Sequence, residues 1–206
     1  MSEKLASYKR KRDFRKTGEP SGNGGLAGSR PIFVIQKHDA SNLHYDFRLN
    51  IGGVLKSWAV PKGLSTAAGE KRLAIRTEDH PLEYVDFEGI IPEGQYGAGT
   101  VMVWDTGAFS SLEEDGADPG TLEKHLEAGK LKIELAGEKL QGGYSLVRME
   151  TGESGEQWLI IKMDDSQADA RRNPVSTEPD SVISGRSLKE IARDEEESGH
   201  ADKSSR

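Results

Sequence analysis

The 206-residue chain has no cysteine, so it forms no disulfide and offers no thiolate to a metal ion. That absence suits a reducing, intracellular setting. No apolar run approaches the ~18 residues of a membrane-spanning helix, and the charged start lacks the apolar segment of a secretion signal. The expectation is a cytoplasmic protein with no membrane partner. An excess of positive charge is missing too. The formal net charge of −7 argues against a simple electrostatic nucleic-acid binder.

The charge that is present is unevenly spread. Residues 1–30 carry eight Lys/Arg against three Asp/Glu, a balance of +5. Residues 31–162 carry thirteen against twenty-one, giving −8, and the remainder seven against eleven, giving −4. A basic arm on an acidic body can grip a phosphate backbone locally, although a solubilising tail would read the same way. The arm runs from Tyr8 to Pro20 and passes into Ser21-Gly22-Asn23-Gly24-Gly25, a flexible linker by composition. From Asp164 onward Ser, Asp, Glu and Arg dominate, and disorder is expected. The anticipated organisation is an arm and linker over 1–30, a folded domain over 31–163 and a polar tail or connector over 164–206.

The chemistry concentrates in Leu43-His44-Tyr45-Asp46-Phe47-Arg48-Leu49. Apolar and polar residues alternate strictly, the signature of a strand with one buried and one open face. His44, Asp46 and Arg48 therefore project together, with neighbouring Cα atoms roughly 6.6 Å apart. An imidazole and a carboxylate can ligate a divalent cation, and a guanidinium can hold a phosphate beside it. His38, six residues upstream, is positioned to return as a third ligand from a preceding strand or turn. On an open face, truncating these side chains should disturb stability little.

Other segments give the frame. Pro31 to Gln36, Val54 to Val60, Leu73 to Ile75, Tyr84 to Phe87, Thr100 to Trp104, Lys130 to Leu135, Gly143 to Met149 and Trp158 to Met163 read as strands. Asn50-Ile51-Gly52-Gly53 reads as a hairpin turn, and Thr121 to Ala128 as one helix closed by Gly129. The expected fold is mostly β: an antiparallel closed barrel of about eight strands with one short flanking helix and disordered tails. Trp58, Trp104 and Trp158 lie in apolar strand contexts and read as core residues rather than base-stacking platforms. Pro92-Glu93-Gly94-Gln95-Tyr96-Gly97-Ala98-Gly99 resembles a phosphate loop only loosely and reads as a structural turn. Pro81 keeps His80 out of a helix and at a turn. Lys62 and Arg72 are candidate supplementary phosphate contacts.

The run Phe33-Val34-Ile35-Gln36-Lys37-His38-Asp39-Ala40-Ser41-Asn42-Leu43-His44-Tyr45-Asp46-Phe47-Arg48-Leu49 closely resembles the 3′-phosphoesterase module of bacterial DNA ligase D. The resemblance continues through Leu55-Lys56-Ser57-Trp58-Ala59-Val60-Pro61-Lys62-Gly63, Glu78-Asp79-His80-Pro81-Leu82-Glu83-Tyr84, Asp86-Phe87-Glu88-Gly89 and Pro92 to Gly99. Lys11-Arg12-Asp13-Phe14 and Thr17-Gly18-Glu19-Pro20 are similar to its N-terminal segment. The resemblance spans roughly residues 8–163.

It implies a Mn²⁺-dependent enzyme, with Zn²⁺ or Co²⁺ as other possible occupants, that trims DNA 3′ ends in non-homologous end joining. A phosphodiesterase step would remove a terminal ribonucleoside, and a phosphomonoesterase step would then leave a 3′-hydroxyl. By matched position, His38, His44 and Asp46 would be metal ligands. Arg48 and His80 would belong to the phosphate site, with Tyr84 close to it; by residue type alone, His80 is also a candidate proton donor. Arg12, Asp13 and Glu19 would serve mainly the diesterase step. The substrate would be the DNA 3′ end of a primer-template, and Ku, polymerase or ligase domains would be partners.

No Lys-x-Asp-Gly nucleotidyl-transfer motif occurs. Glu178 to Ile191 resembles the connector to further domains in full-length family members, so the chain reads as either a separate phosphoesterase or a piece of a longer protein. Two other classes stay open at this point. One is a non-catalytic DNA-end-binding adaptor. The other is a barrel oxygenase, because two histidines and a carboxylate also suit iron.

Overall fold

The computed structural model describes residues 4–23, 30–114, 116, 118–149 and 155–203; Gly24 and Gly25 of the expected linker lie outside them. Nine strands form: β1 (Ile32–Asp39), β2 (Leu43–Ile51), β3 (Val54–Val60), β4 (Lys71–Arg76), β5 (Gly89–Ile91), β6 (Gly99–Ser111), β7 (Lys130–Gly137), β8 (Gln141–Arg148) and β9 (Gln157–Lys162). Their order is β1-β2-β3-β4-β9-β8-β7-β6-β5, and β1 also pairs with β6. Eight antiparallel strands thus close a barrel, and β5 hangs on β6 alone. Closure leaves no long sheet edge unpaired.

Alternation within the strands decides what lies on each side of the wall. Phe33 and Ile35 of β1 join Tyr45, Phe47, Leu49 and Ile51 of β2 in the main core, together with Trp58, Trp104 and Trp158. The tryptophans are core residues, as expected. Val34 points the other way, into a second cluster with Tyr8, Leu55, Tyr84 and Val103. A two-residue turn, with Gly52 at φ 64° and Gly53 at φ 79°, joins β2 to β3. Both values lie in the left-handed region, as in tight hairpins that match strand twist. It keeps β2 and β3 in register, with Arg48 opposite Ser57.

Among the described residues four helices form rather than one: α1 (Ala6–Arg10), α2 (Pro119–Ala128), α3 (Pro174–Thr177) and α4 (Leu188–Lys203). In α2 the Asp118 side chain accepts from Gly120 N and Thr121 N, and Gly129 ends the helix at φ 82°. Tyr84 to Phe87 is not a strand. Leu82–Asp86 is a 3₁₀ turn, which buries Tyr84 against the barrel's outer wall.

The segments beyond the barrel depart most from expectation. The arm is seated, with Tyr8 fully buried and its hydroxyl donating to Pro20 O at 2.6 Å. The polar stretch after Met163 packs on the barrel too, at least through Ile191, rather than running as a disordered tail. Asp169 N donates to Thr66 O at 2.8 Å, Val182 N to Val103 O at 3.1 Å, and Ile191 is buried in the main core. Trp104 Nε1 and Lys139 Nζ both donate to Glu178 O, at 2.7 and 2.9 Å.

Candidate active site

His38 stands directly opposite His44 across the β1–β2 ladder, and Asp46 opposite Gln36. Parity puts all four on the outside of the barrel wall, so the site lies against the barrel and not within it. One donor atom each from His38, His44 and Asp46 falls within 4.8 Å of the others. His38 Nδ1 is 3.3 Å from Asp46 Oδ2, and His44 Nε2 is 3.7 Å from Asp46 Oδ1.

The remaining ring nitrogens fix the tautomers. His38 Nε2 sits 2.9 Å from Gly97 O, and His44 Nδ1 2.9 Å from Asn42 O. A carbonyl only accepts, so each of these nitrogens carries the proton in the neutral ring. In that neutral form the lone pairs of His38 Nδ1 and His44 Nε2 are aimed at a carboxylate, an arrangement that a cation between them makes favourable. Metal-ligating histidines are held in the same way, by a backbone carbonyl on the other nitrogen. The donor set fits a divalent cation that takes nitrogen and oxygen ligands.

Arg48 is the next outward-facing residue of β2. Its Nη2 donates to Asp46 Oδ2 at 3.1 Å and its Nε to Gln36 Oε1 at 2.8 Å. Its Nη1 lies 2.9 Å from His80 Nδ1. Gln36 is fixed in turn by donating to the carbonyls of Tyr84 and Phe87, at 3.1 and 3.0 Å. His80 is tied to β3 by reciprocal backbone hydrogen bonds with Leu55.

The arm closes the far side. Arg12 Nε donates to Glu19 Oε1 at 2.8 Å, its Nη1 to Glu78 Oε1 at 3.0 Å, and its Nη2 lies 3.3 Å from His80 Nε2. Glu19 Oε1 also accepts from Tyr84 Oη at 2.9 Å. The result is a cavity of about 320 Å³ lined by the metal triad, Arg12, Arg48 and His80, among others. That volume admits a phosphate group and the end of a chain, and not a duplex.

Burial governs the electrostatics. It pushes the Asp46 carboxyl up, but Arg48, His38 and His44 together hold it well below the usual carboxylate range. Burial, with Arg48 and Arg12 alongside, pushes His80 well below 6.5, so its ring is neutral. A neutral ring accepts at one nitrogen only. Whichever nitrogen has the proton, one of the two guanidiniums keeps an N–H that the ring does not accept, and both guanidiniums line the cavity. Burial raises Tyr84 far above 10, so it stays a phenol and donates to Glu19.

Among the residues expected in the site, His38, His44, Asp46, Arg48, His80, Tyr84 and Arg12 line this one cavity. Glu19 stands behind it as the anchor of Arg12 and Tyr84. Asp13 does not line it; its carboxylate pairs with Arg15 at 2.9 and 3.0 Å. Lys62 and Arg72 do not line it either, and Arg72 faces a separate cavity and pairs with Glu70. The expected open face is also not open: Asp46 is 7% and Arg48 3% exposed, because His38 and His44 close around Asp46 and His80 and Tyr84 pack against Arg48. Gln36, Glu78 and Tyr96 were not picked out. Gln36 shares strand parity with His38, the one signal that pointed to it.

The fold and the site together define a class, an antiparallel β-barrel domain with an external His–His–Asp cluster whose donor atoms could hold a metal ion, flanked by two arginines. The chain belongs to the DNA ligase D 3′-phosphoesterase domain family, whose sequence model matches residues 36–148. It is 49% identical over 191 residues to the multifunctional non-homologous end joining protein LigD of Pseudomonas aeruginosa, covering 91% of this chain and 22% of that protein. It is 43% identical over 164 residues to the multifunctional non-homologous end joining DNA repair protein LigD of Mycobacterium tuberculosis, covering 79% of this chain and 20% of that protein. The chain therefore spans about a fifth of the length of these relatives. Among the described residues, no helix is long and apolar enough to cross a membrane.

Proposed function

We propose that this domain is a divalent-metal-dependent phosphoesterase that clears DNA 3′ ends, removing a terminal ribonucleoside and then the 3′-phosphate. The observation that carries the reading is the triad of His38, His44 and Asp46 with Arg48 joined to its carboxylate at 3.1 Å. Those three residues would hold Mn²⁺, with Zn²⁺ or Co²⁺ as alternatives. The bound ion would polarise a phosphate oxygen and supply an activated water.

The protein's own residues do the rest. Arg48 offers a rigid fork to nonbridging oxygens as charge builds in the transition state. Arg12 approaches from the arm and offers a second, which suits a diester whose leaving nucleoside lies toward the arm. His80 is neutral and lies between both guanidiniums, which favours a positioning role over proton donation. The substrate is a DNA 3′ terminus, in keeping with relatives named for non-homologous end joining and, in one case, DNA repair, and Ku and polymerase or ligase units belong to this reading as proposed partners.

Release of inorganic phosphate from a 3′-phosphorylated oligonucleotide with added Mn²⁺ tests this reading. A primer-template with a 3′ ribonucleotide tests the diester step. Turnover that chelator abolishes is expected. DNA-end binding without phosphate release under any divalent cation would instead establish the adaptor reading.

A further inference from the structure

The loop from Pro92 to Ala98 is built by two turns, with Gln95 N donating to Pro92 O at 3.1 Å and Ala98 N to Gln95 O at 3.2 Å. Its Gly97 carbonyl holds the metal-side histidine His38 at 2.9 Å. The residue before it, Tyr96, lines the cavity yet remains 48% exposed. Most other aromatic side chains around this site are buried or half-buried, so a ring held open at the rim is unusual in a chain this poor in surface aromatics.

Tyr96 is also held in place. Lys11 Nζ lies 3.2 Å from its hydroxyl and 4.2 Å from its ring centroid, and the Arg12 guanidinium lies 5.6 Å from the ring. An aromatic face beside two cations, at the mouth of a cavity sized for a phosphate, matches the parts that single-stranded nucleic-acid sites combine. The phosphate needs the cations, and the base attached to it needs a flat apolar surface next to them.

We propose that Tyr96 is the stacking platform for the base of the terminal nucleotide, fixing the chain end while its phosphate enters the cavity between Arg12 and Arg48. This assignment rests on the phosphoesterase reading above and adds to it the contact that tells a nucleotide end from a bare phosphate ester. Stacking recognises every base, so it predicts tolerance of base identity and intolerance of base loss.

The test uses 3′-phosphorylated oligonucleotides that end in 2-aminopurine or in an abasic sugar, with the full chain and its Tyr96→Ala and Tyr96→Phe variants. The wild type and Tyr96→Phe should quench 2-aminopurine fluorescence on binding. Tyr96→Ala should lose the quench and bind about tenfold more weakly, the size expected for one base on one aromatic side chain. With the abasic end all three should bind alike. Equal weakening of both ends by Tyr96→Ala, or no quench with the wild type, would overturn the platform. Phosphate release is followed separately. Quench and variant defect without release would sink the phosphoesterase reading alone, and release without quench would sink the platform alone.

Discussion

Arg12 Nη2 lies 3.3 Å from His80 Nε2, so a residue of the N-terminal arm forms one wall of a cavity whose floor is the barrel. The arm is thus part of the site and not an appendage that merely draws DNA near. Its seat is the outer cluster around Tyr8 and Tyr84, whose rings meet edge to face at 6.2 Å.

Arg12→Ala should therefore slow removal of a 3′ ribonucleoside by roughly 10²-fold, the usual loss for one transition-state donor. Release of a simple 3′-phosphate, which Arg48 alone can hold, should fall less. Because Glu19 and Glu78 would lose a buried partner, stability should also drop, by up to about 3 kcal/mol. Single-turnover rates on the two substrates decide it; equal losses on both would remove the arm's separate role.

The arm's docking should weaken in acid. Burial raises the Glu78 carboxyl, but hydrogen bonds from Lys11 and Arg12 outweigh it and leave its pKa below the ordinary 4.5. A carboxylate depressed in the folded state contributes stability that is present above the unfolded value and lost as pH falls through the folded one. Melting temperature should accordingly be insensitive to this group at neutral pH and decline below about pH 4.5. Glu78→Gln should be less stable at pH 7 and converge with the wild type in acid. Parallel curves for the two proteins from pH 7 to pH 3 would exclude the effect.

Strand parity made much of this molecule legible. The alternation in Leu43 to Leu49 placed His44, Asp46 and Arg48 on one face, and the barrel followed from short strands parted by turn residues. Parity does not say what covers a face, however, so Asp46 and Arg48 read as open when they are buried. The seat of the segment after Met163 was hidden for a related reason. Its anchors are mostly backbone carbonyls, such as Glu178 O accepting from Trp104 and Lys139, and a carbonyl leaves no mark in the sequence. Arg72 shows the converse, a cation of the right type that folding carries to another cavity.

Stripping the metal should abolish turnover and leave the fold. The main core, with Trp58 and Trp104 fully buried, contains none of the proposed ligands. This domain therefore has its own reason to fold, unlike a small metal-dependent module. Chelator should lower the melting temperature only by the few degrees that loss of a bound ligand explains. Collapse of the far-ultraviolet circular dichroism signal on chelation would mark the site as structural.

The two ends of the β2 polar row should separate metal binding from catalysis. His44→Ala removes a ligand, so Mn²⁺ affinity and turnover should fall together. Its side chain is partly exposed, and stability should change by less than about 1 kcal/mol. Arg48→Ala leaves all three ligands in place and removes a cation from beside Asp46, so Mn²⁺ should bind at least as well. Turnover should nevertheless fall by roughly 10²–10³-fold. Burial makes this second variant less stable, by about 2–4 kcal/mol, because Asp46 and Gln36 each lose a hydrogen-bond partner. Arg48→Lys should rescue little turnover, since a point charge cannot span two oxygens as a fork does. Calorimetric Mn²⁺ titration beside turnover, below each variant's melting range, decides the matter. Loss of metal in Arg48→Ala as complete as in His44→Ala, or near-normal turnover, would refute the division of labour.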